Sequence, residues 1–139
     1  MLRLRPLRVL ILSTDHRFRA VMAMLIARRG CSAFSVSAPA ALAETLVRER
    51  IDVLLVDGVE LLRDATLDVE RTDAAAPPIG VVLVGEPEQS ASTALRSLTK
   101  WGAFGELFAA IVAADRARSR PFAPGPLPEL REIRARRLG

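Results

Sequence analysis

The sequence is poor in cysteine, histidine and aromatic residues, and each shortage closes off a class of function. Its one cysteine, Cys31, cannot form an internal disulfide, which fits a reducing compartment. Its one histidine, His16, has no second His or Cys near it in sequence and makes no metal site; it reads as a residue capping a helix or standing in solvent. Aromatics are 4% of 139 residues, leaving little to stack on bases or sugars. The first apolar run, Val9–Leu12, is too short for a signal-peptide core and far too short to span a membrane. "GVELL" and "GEPEQS" lack the glycines that let a backbone approach a phosphate closely. The expectation is a cytoplasmic protein without a nucleotide-binding fingerprint.

What is present is a core. Half of the residues are hydrophobic, enough for one domain at this length. The formal charge is +4, and from Arg116 onward arginines outnumber Glu129 and Glu132 so heavily that the excess belongs to the tail. "PFAPGPLP" holds four prolines and reads as a linker. A domain over 1–118 is therefore expected, followed by a proline-rich linker and basic tail over 119–139. No recognition-helix pattern accompanies the "RARSR" and "RARR" runs, so nucleic-acid binding has no support.

Along the chain, apolar runs alternate with helical stripes. "RVLILS" reads as a strand. Phe18, Val21, Met22, Leu25 and Ile26 follow at helical spacing, and Gly30 is the stop. "SAFSV" is a second strand. Ser37 is expected to cap a second helix with Pro39 just inside, the stripe Leu42, Leu46 and Val47 carrying it to about Arg50. "DVLLV" is the third strand, and "ELLRDATLDVERTD" a short, possibly broken helix. "IGVVLVG" is the fourth strand. "EQSASTALRSL" reads as helix running into a short extended piece near Leu98, and "AFGELFAAIVAADRAR" is the last clear helix. The strands are continuous apolar runs rather than alternating ones, the pattern of a parallel sheet covered on both faces. The fold class is thus α/β, an open, doubly wound, five-stranded parallel sheet. Chemistry on such sheets sits outside the carboxyl ends of the strands. Ser13, Thr14 and Asp15, then Asp57, then Val84, and finally Lys100 fall at those ends.

Three pieces, "VLILSTDHRFR", "DVLLVD" and "SLTKW", stand in the order and spacing that resembles the receiver domain of two-component response regulators, a flavodoxin-like fold, over roughly Arg8 to Arg118. The resemblance implies a signalling module rather than an enzyme. It makes Asp57 the phosphoacceptor candidate and Lys100 the phosphoryl contact, with Mg²⁺ held by acidic side chains after the first strand and by Asp57. The sequence departs from that pattern. The two acidic positions fall on Ser13 and Thr14, and Asp15 comes one residue later. The hydroxyl expected after the fourth strand falls on Val84, and Trp101 replaces the proline after the lysine.

A divalent ion held only by Asp15 and Asp57 would be weakly bound, since ligand charge largely sets affinity. The reading taken is an atypical receiver that uses no cofactor. A protein partner, a kinase or output protein, or dimerisation through the fourth and fifth elements would control it, with Trp101 as a candidate contact. The alternative is a working Mg²⁺-dependent phosphoacceptor using Asp57, Asp15 and Lys100. A small enzyme or nucleotide binder on the same sheet edge is the third reading.

Overall fold

A computed structural model describes residues 5–40, 42–71, 79–85 and 97–118. The element order is β1 (Arg8–Leu12), α1 (His16–Arg28), β2 (Ser32–Val36), α2 (Leu42–Arg48), β3 (Val53–Asp57), α3 (Val59–Arg71), β4 (Gly80–Val84), β5 (Ser97–Leu98) and α4 (Phe104–Ala117). All strand pairs are parallel, in the order β2-β1-β3-β4-β5. Four strands of five residues form the body of the sheet, and the two-residue β5 pairs with the end of β4.

The pleat divides the core. Leu10, Leu12, Leu54 and Val56 face α2 and α3, where Leu42, Leu46, Leu62 and Val69 cover them. Val9, Ile11, Val53 and Leu55 face the other way, under Phe18, Met22 and Ile26 of α1 and Leu107 and Ile111 of α4. Successive side chains of a strand point to opposite faces, so β1 and β3 need apolar residues at every position when both faces are covered. That is why their sequences show no alternation.

The α1 stop at Gly30 holds: its φ of +82° lies in the left-handed region that glycine adopts without a Cβ penalty. Gly80 allows close approach of a different kind, since a Cβ there would stand 2.5 Å from the Ala114 carbonyl oxygen of α4.

Two local expectations need correction. The second helix does not begin at Ser37 but at Leu42, whose N–H donates to the Pro39 carbonyl in a preceding turn. A proline disfavours helical backbone at the residue before it, here Ala38. The third helix is one unbroken element of 13 residues, because Leu62, Ala65, Thr66 and Val69 make a continuous buried stripe. The expected helix over 88–96 and the linker and tail over 119–139 lie outside the described residues.

At the amino-terminal edge of the sheet, the buried Asp52 closes the fold. It accepts two hydrogen bonds from the Arg5 guanidinium, at 2.9 and 3.1 Å, and one from the Arg8 N–H at 2.9 Å. Arg118, after α4, lies 3.0 Å from its Oδ1. One carboxylate thus ties the chain before β1 to the end of α4.

Candidate functional site

Of the residues expected at the site, Ser13, Asp15, Asp57 and Lys100 come together at the opposite, carboxyl edge. β1 and β3 are neighbours in register, Leu12 beside Val56, so the residues that follow them are adjacent in space. Ser13 is fully buried and its Oγ donates to Asp57 Oδ2 at 2.6 Å. The same Oγ accepts from the Asp15 N–H at 3.0 Å. Both roles of the hydroxyl are used, and no carboxylate stands at this position.

Lys100 follows β5 by two residues. Its Nζ lies 2.9 Å from Asp57 Oδ2 and 2.9 Å from Asp15 Oδ2, and 5.2 Å above the centre of the Phe18 ring. The ammonium therefore bridges two carboxylates and rests on an aromatic face. Asp15 has a second task. Its Oδ1 accepts from the N–H groups of Arg17 and Phe18, at 3.0 and 3.2 Å, which makes it the N-cap of α1. The loop after β1 turns Asp15 inward, so the single-residue displacement seen in sequence does not remove it from the site.

The hydrogen bond from Lys100, then the cap bond from Phe18, hold the Asp15 carboxyl below its ordinary range. For Lys100, partial burial is the largest single influence and works against the charge. The hydrogen bonds to Asp57 and Asp15 together outweigh it and raise the ammonium above the ordinary lysine value.

Thr14 is exposed. Val84 is buried, packed in the core beneath α1 and α4, and only its backbone carbonyl reaches the edge, accepting from the Gly58 N–H at 2.8 Å. A valine side chain offers no hydrogen bond to a phosphoryl oxygen. Trp101 is half exposed, and its ring meets Phe18 edge-on at 5.4 Å between centroids. With Asp15 and Arg17 it lines an open depression of about 380 Å³ beside the carboxylate pair.

The donor set fits Mg²⁺ poorly. That ion demands octahedral geometry from hard oxygens. Here Asp15 Oδ1 is committed to the helix cap, and both Oδ2 atoms are taken by the lysine. Among the described residues no group of three or more His, Cys, Asp or Glu could hold a metal ion.

Missed in the sequence was Asp52, whose signal was a carboxylate before an apolar strand, with Arg5 ahead of β1 and Arg8 at its start. Also missed was the engagement of Arg19, whose guanidinium donates to the Ser13 carbonyl at 2.7 Å.

No protein-family model matches the chain, and no curated protein matches it. Solved structures do. The receiver domain of the PhyR response regulator from Erythrobacter litoralis superposes with a TM-score of 0.66 at 14% identity, over 84% of this chain and 95% of that one. A sensor protein from Polaromonas sp. JS666 gives 0.65 at 22%, over 83% and 99%. A response regulator receiver protein from Pseudomonas putida gives 0.62 at 16%, over 81% and 99%. The fold of this chain is that of response-regulator receiver domains. Among the described residues no helix is long and apolar enough to cross a membrane.

Proposed function

We propose that the chain is an atypical receiver, a cytoplasmic signalling module of the five-stranded, flavodoxin-like kind whose state is set by a protein partner rather than by Mg²⁺-dependent phosphorylation of Asp57. One observation carries the reading: Lys100 Nζ stands 2.9 Å from both Asp15 and Asp57. An internal ammonium neutralises the carboxylates that a divalent cation would otherwise neutralise. Ser13 adds a hydroxyl donor where a further carboxylate would be needed, so the pocket is closed on itself. Val84 supports the same reading, because no side-chain hydroxyl stands there to report a phosphoryl group. The half-exposed Trp101 beside this pocket is the contact proposed for the partner.

One observation favours the second reading, a working phosphoacceptor. Asp57 stands at the end of β3 with its carboxylate partly accessible, as attack on a phosphoryl group requires. The two readings differ in their need for metal. Trp101 is the sole tryptophan and touches Phe18, over which Lys100 is held, so its fluorescence reports the pocket. Titration of the full chain with Mg²⁺ into the millimolar range is expected to leave that emission unchanged. A saturable change that EDTA reverses, and that Asp57→Asn abolishes, would favour the phosphoacceptor.

A further inference from the structure

A second concavity lies on the far side of Ser13, between α1 and the end of β2, with a volume of about 580 Å³. It opens widely to solvent, and its volume falls within the range of small-ligand sites. His16, Arg19, Ala20 and Ala23 form one wall, at the three- and four-residue spacing that keeps them on a single helix face. Ser35 and Ser37 lie across from them. The alanines leave the space open and apolar, while the polar groups supply donors. A guanidinium has five N–H donors, and the Ser13 carbonyl takes one of Arg19's at 2.7 Å, which fixes the side chain. The other terminal nitrogen lies 3.5 Å from His16 Nδ1. An imidazole that accepts at Nδ1 carries its proton on Nε2, a further donor. Among the described residues no carboxylate lines the groove.

The groove is joined to the carboxylate pocket through one residue. Ser13 donates its N–H to the carbonyl of Val36, in the groove wall, at 3.2 Å, and its carbonyl accepts from Arg19. Its hydroxyl donates to Asp57. A fixed cation, hydroxyls and an apolar floor suit an anionic group on a short apolar body, since charge-assisted hydrogen bonds to a planar guanidinium are the strong ones.

We infer that this groove binds a small organic anion, a carboxylate or phosphate on a short apolar body, and that its occupancy is felt at Asp57 through Ser13. The inference goes beyond the receiver reading, and its failure would leave that reading standing.

The test is a ¹H–¹⁵N titration of the full chain with sodium hexanoate, inorganic phosphate and the neutral hexanamide. Saturable shifts are expected at His16, Arg19 and Ser37 and at Ser13 and Asp57, with hexanoate binding more tightly than hexanamide. Arg19→Gln is expected to weaken hexanoate by about tenfold or more, the loss of one charge-assisted contact. Ala20→Leu, which keeps the charge and fills the groove, is expected to weaken it as well, and it guards against a change at Ser13 caused by R19Q alone. Saturation by phosphate would assign the headgroup as sufficient. Equal shifts with hexanamide, indifference to both substitutions, or no saturable shift would overturn the site. Groove shifts without movement at Ser13 and Asp57 would overturn the link.

Discussion

Ser13 Oγ donates to Asp57 Oδ2 at 2.6 Å, joining the end of β1 to the end of β3 by a neutral donor at a carboxylate. A second carboxylate in place of this hydroxyl would repel Asp57 and call for a cation. The hydroxyl instead satisfies Asp57 and the Asp15 N–H together. Ser13→Ala removes both partners from a buried position and is expected to cost about 1–3 kcal/mol, measured by urea unfolding. Wild-type stability in the variant would mean that water replaces the hydroxyl without loss.

On the proposed reading, Lys100 takes the place of a divalent ion between Asp15 and Asp57. Lys100→Met leaves Asp15 and Asp57 facing each other without a counter-charge. The variant is expected to gain a saturable Mn²⁺ or Mg²⁺ response in Trp101 fluorescence that the wild type lacks. Silence in a folded variant would show that two carboxylates alone do not make the site.

The same ion pair fixes a pH window. Asp15 titrates below its ordinary value of 3.8 in the folded chain, so its contribution to stability is complete above that value and lost as pH falls through the lowered one. Lys100 titrates above its ordinary 10.5, so its contribution is complete below 10.5 and lost as pH rises through the raised value. The stability difference between wild type and Lys100→Met is therefore expected to be level from about pH 5 to 10 and to shrink at both extremes, by urea midpoints across pH. A difference that changes steeply near neutrality would contradict the assignment.

How much of this was legible in the sequence depended on the kind of signal. Strands buried on both faces announce themselves as apolar runs, so β1, β3 and β4 and the position of Asp57 were readable. Gly30 marked the end of α1 because a left-handed residue strongly prefers glycine. The start of α2 was not readable, since Ser37 and Pro39 mimic a cap while the turn at Pro39 takes the first N–H. Asp15 was half readable. Its place after β1 could be seen, but its two simultaneous roles depend on a loop conformation and on Lys100, 85 positions away. The role of Asp52 was not readable, because its guanidinium partners, Arg5 and Arg118, lie far from it along the chain.

That distant staple gives a stability prediction of its own. Asp52→Ala leaves the partly exposed Arg5 guanidinium and the Arg8 N–H without their acceptor, while Arg118 keeps Asp115, and is expected to cost about 1–3 kcal/mol. Chemical unfolding measures it. A cost under about 1 kcal/mol, the range of exposed pairs, would mean that solvent reaches these arginines freely.

Gly80→Ala is expected to destabilise by about 1–3 kcal/mol, because the added methyl meets the backbone of α4 rather than a flexible side chain. A neutral substitution, again by unfolding, would show that α4 can move away from β4.

On the proposed reading, Asp57 is not a regulated phosphoacceptor. Intact-mass spectrometry of the full chain after incubation with acetyl phosphate and Mg²⁺, with Asp57→Asn and EDTA controls, tests it most directly. No phosphoryl adduct is expected in a sample shown to be folded. An adduct that requires both Mg²⁺ and Asp57 would contradict it, and would make Asp15 and Lys100 parts of a working phosphotransfer site.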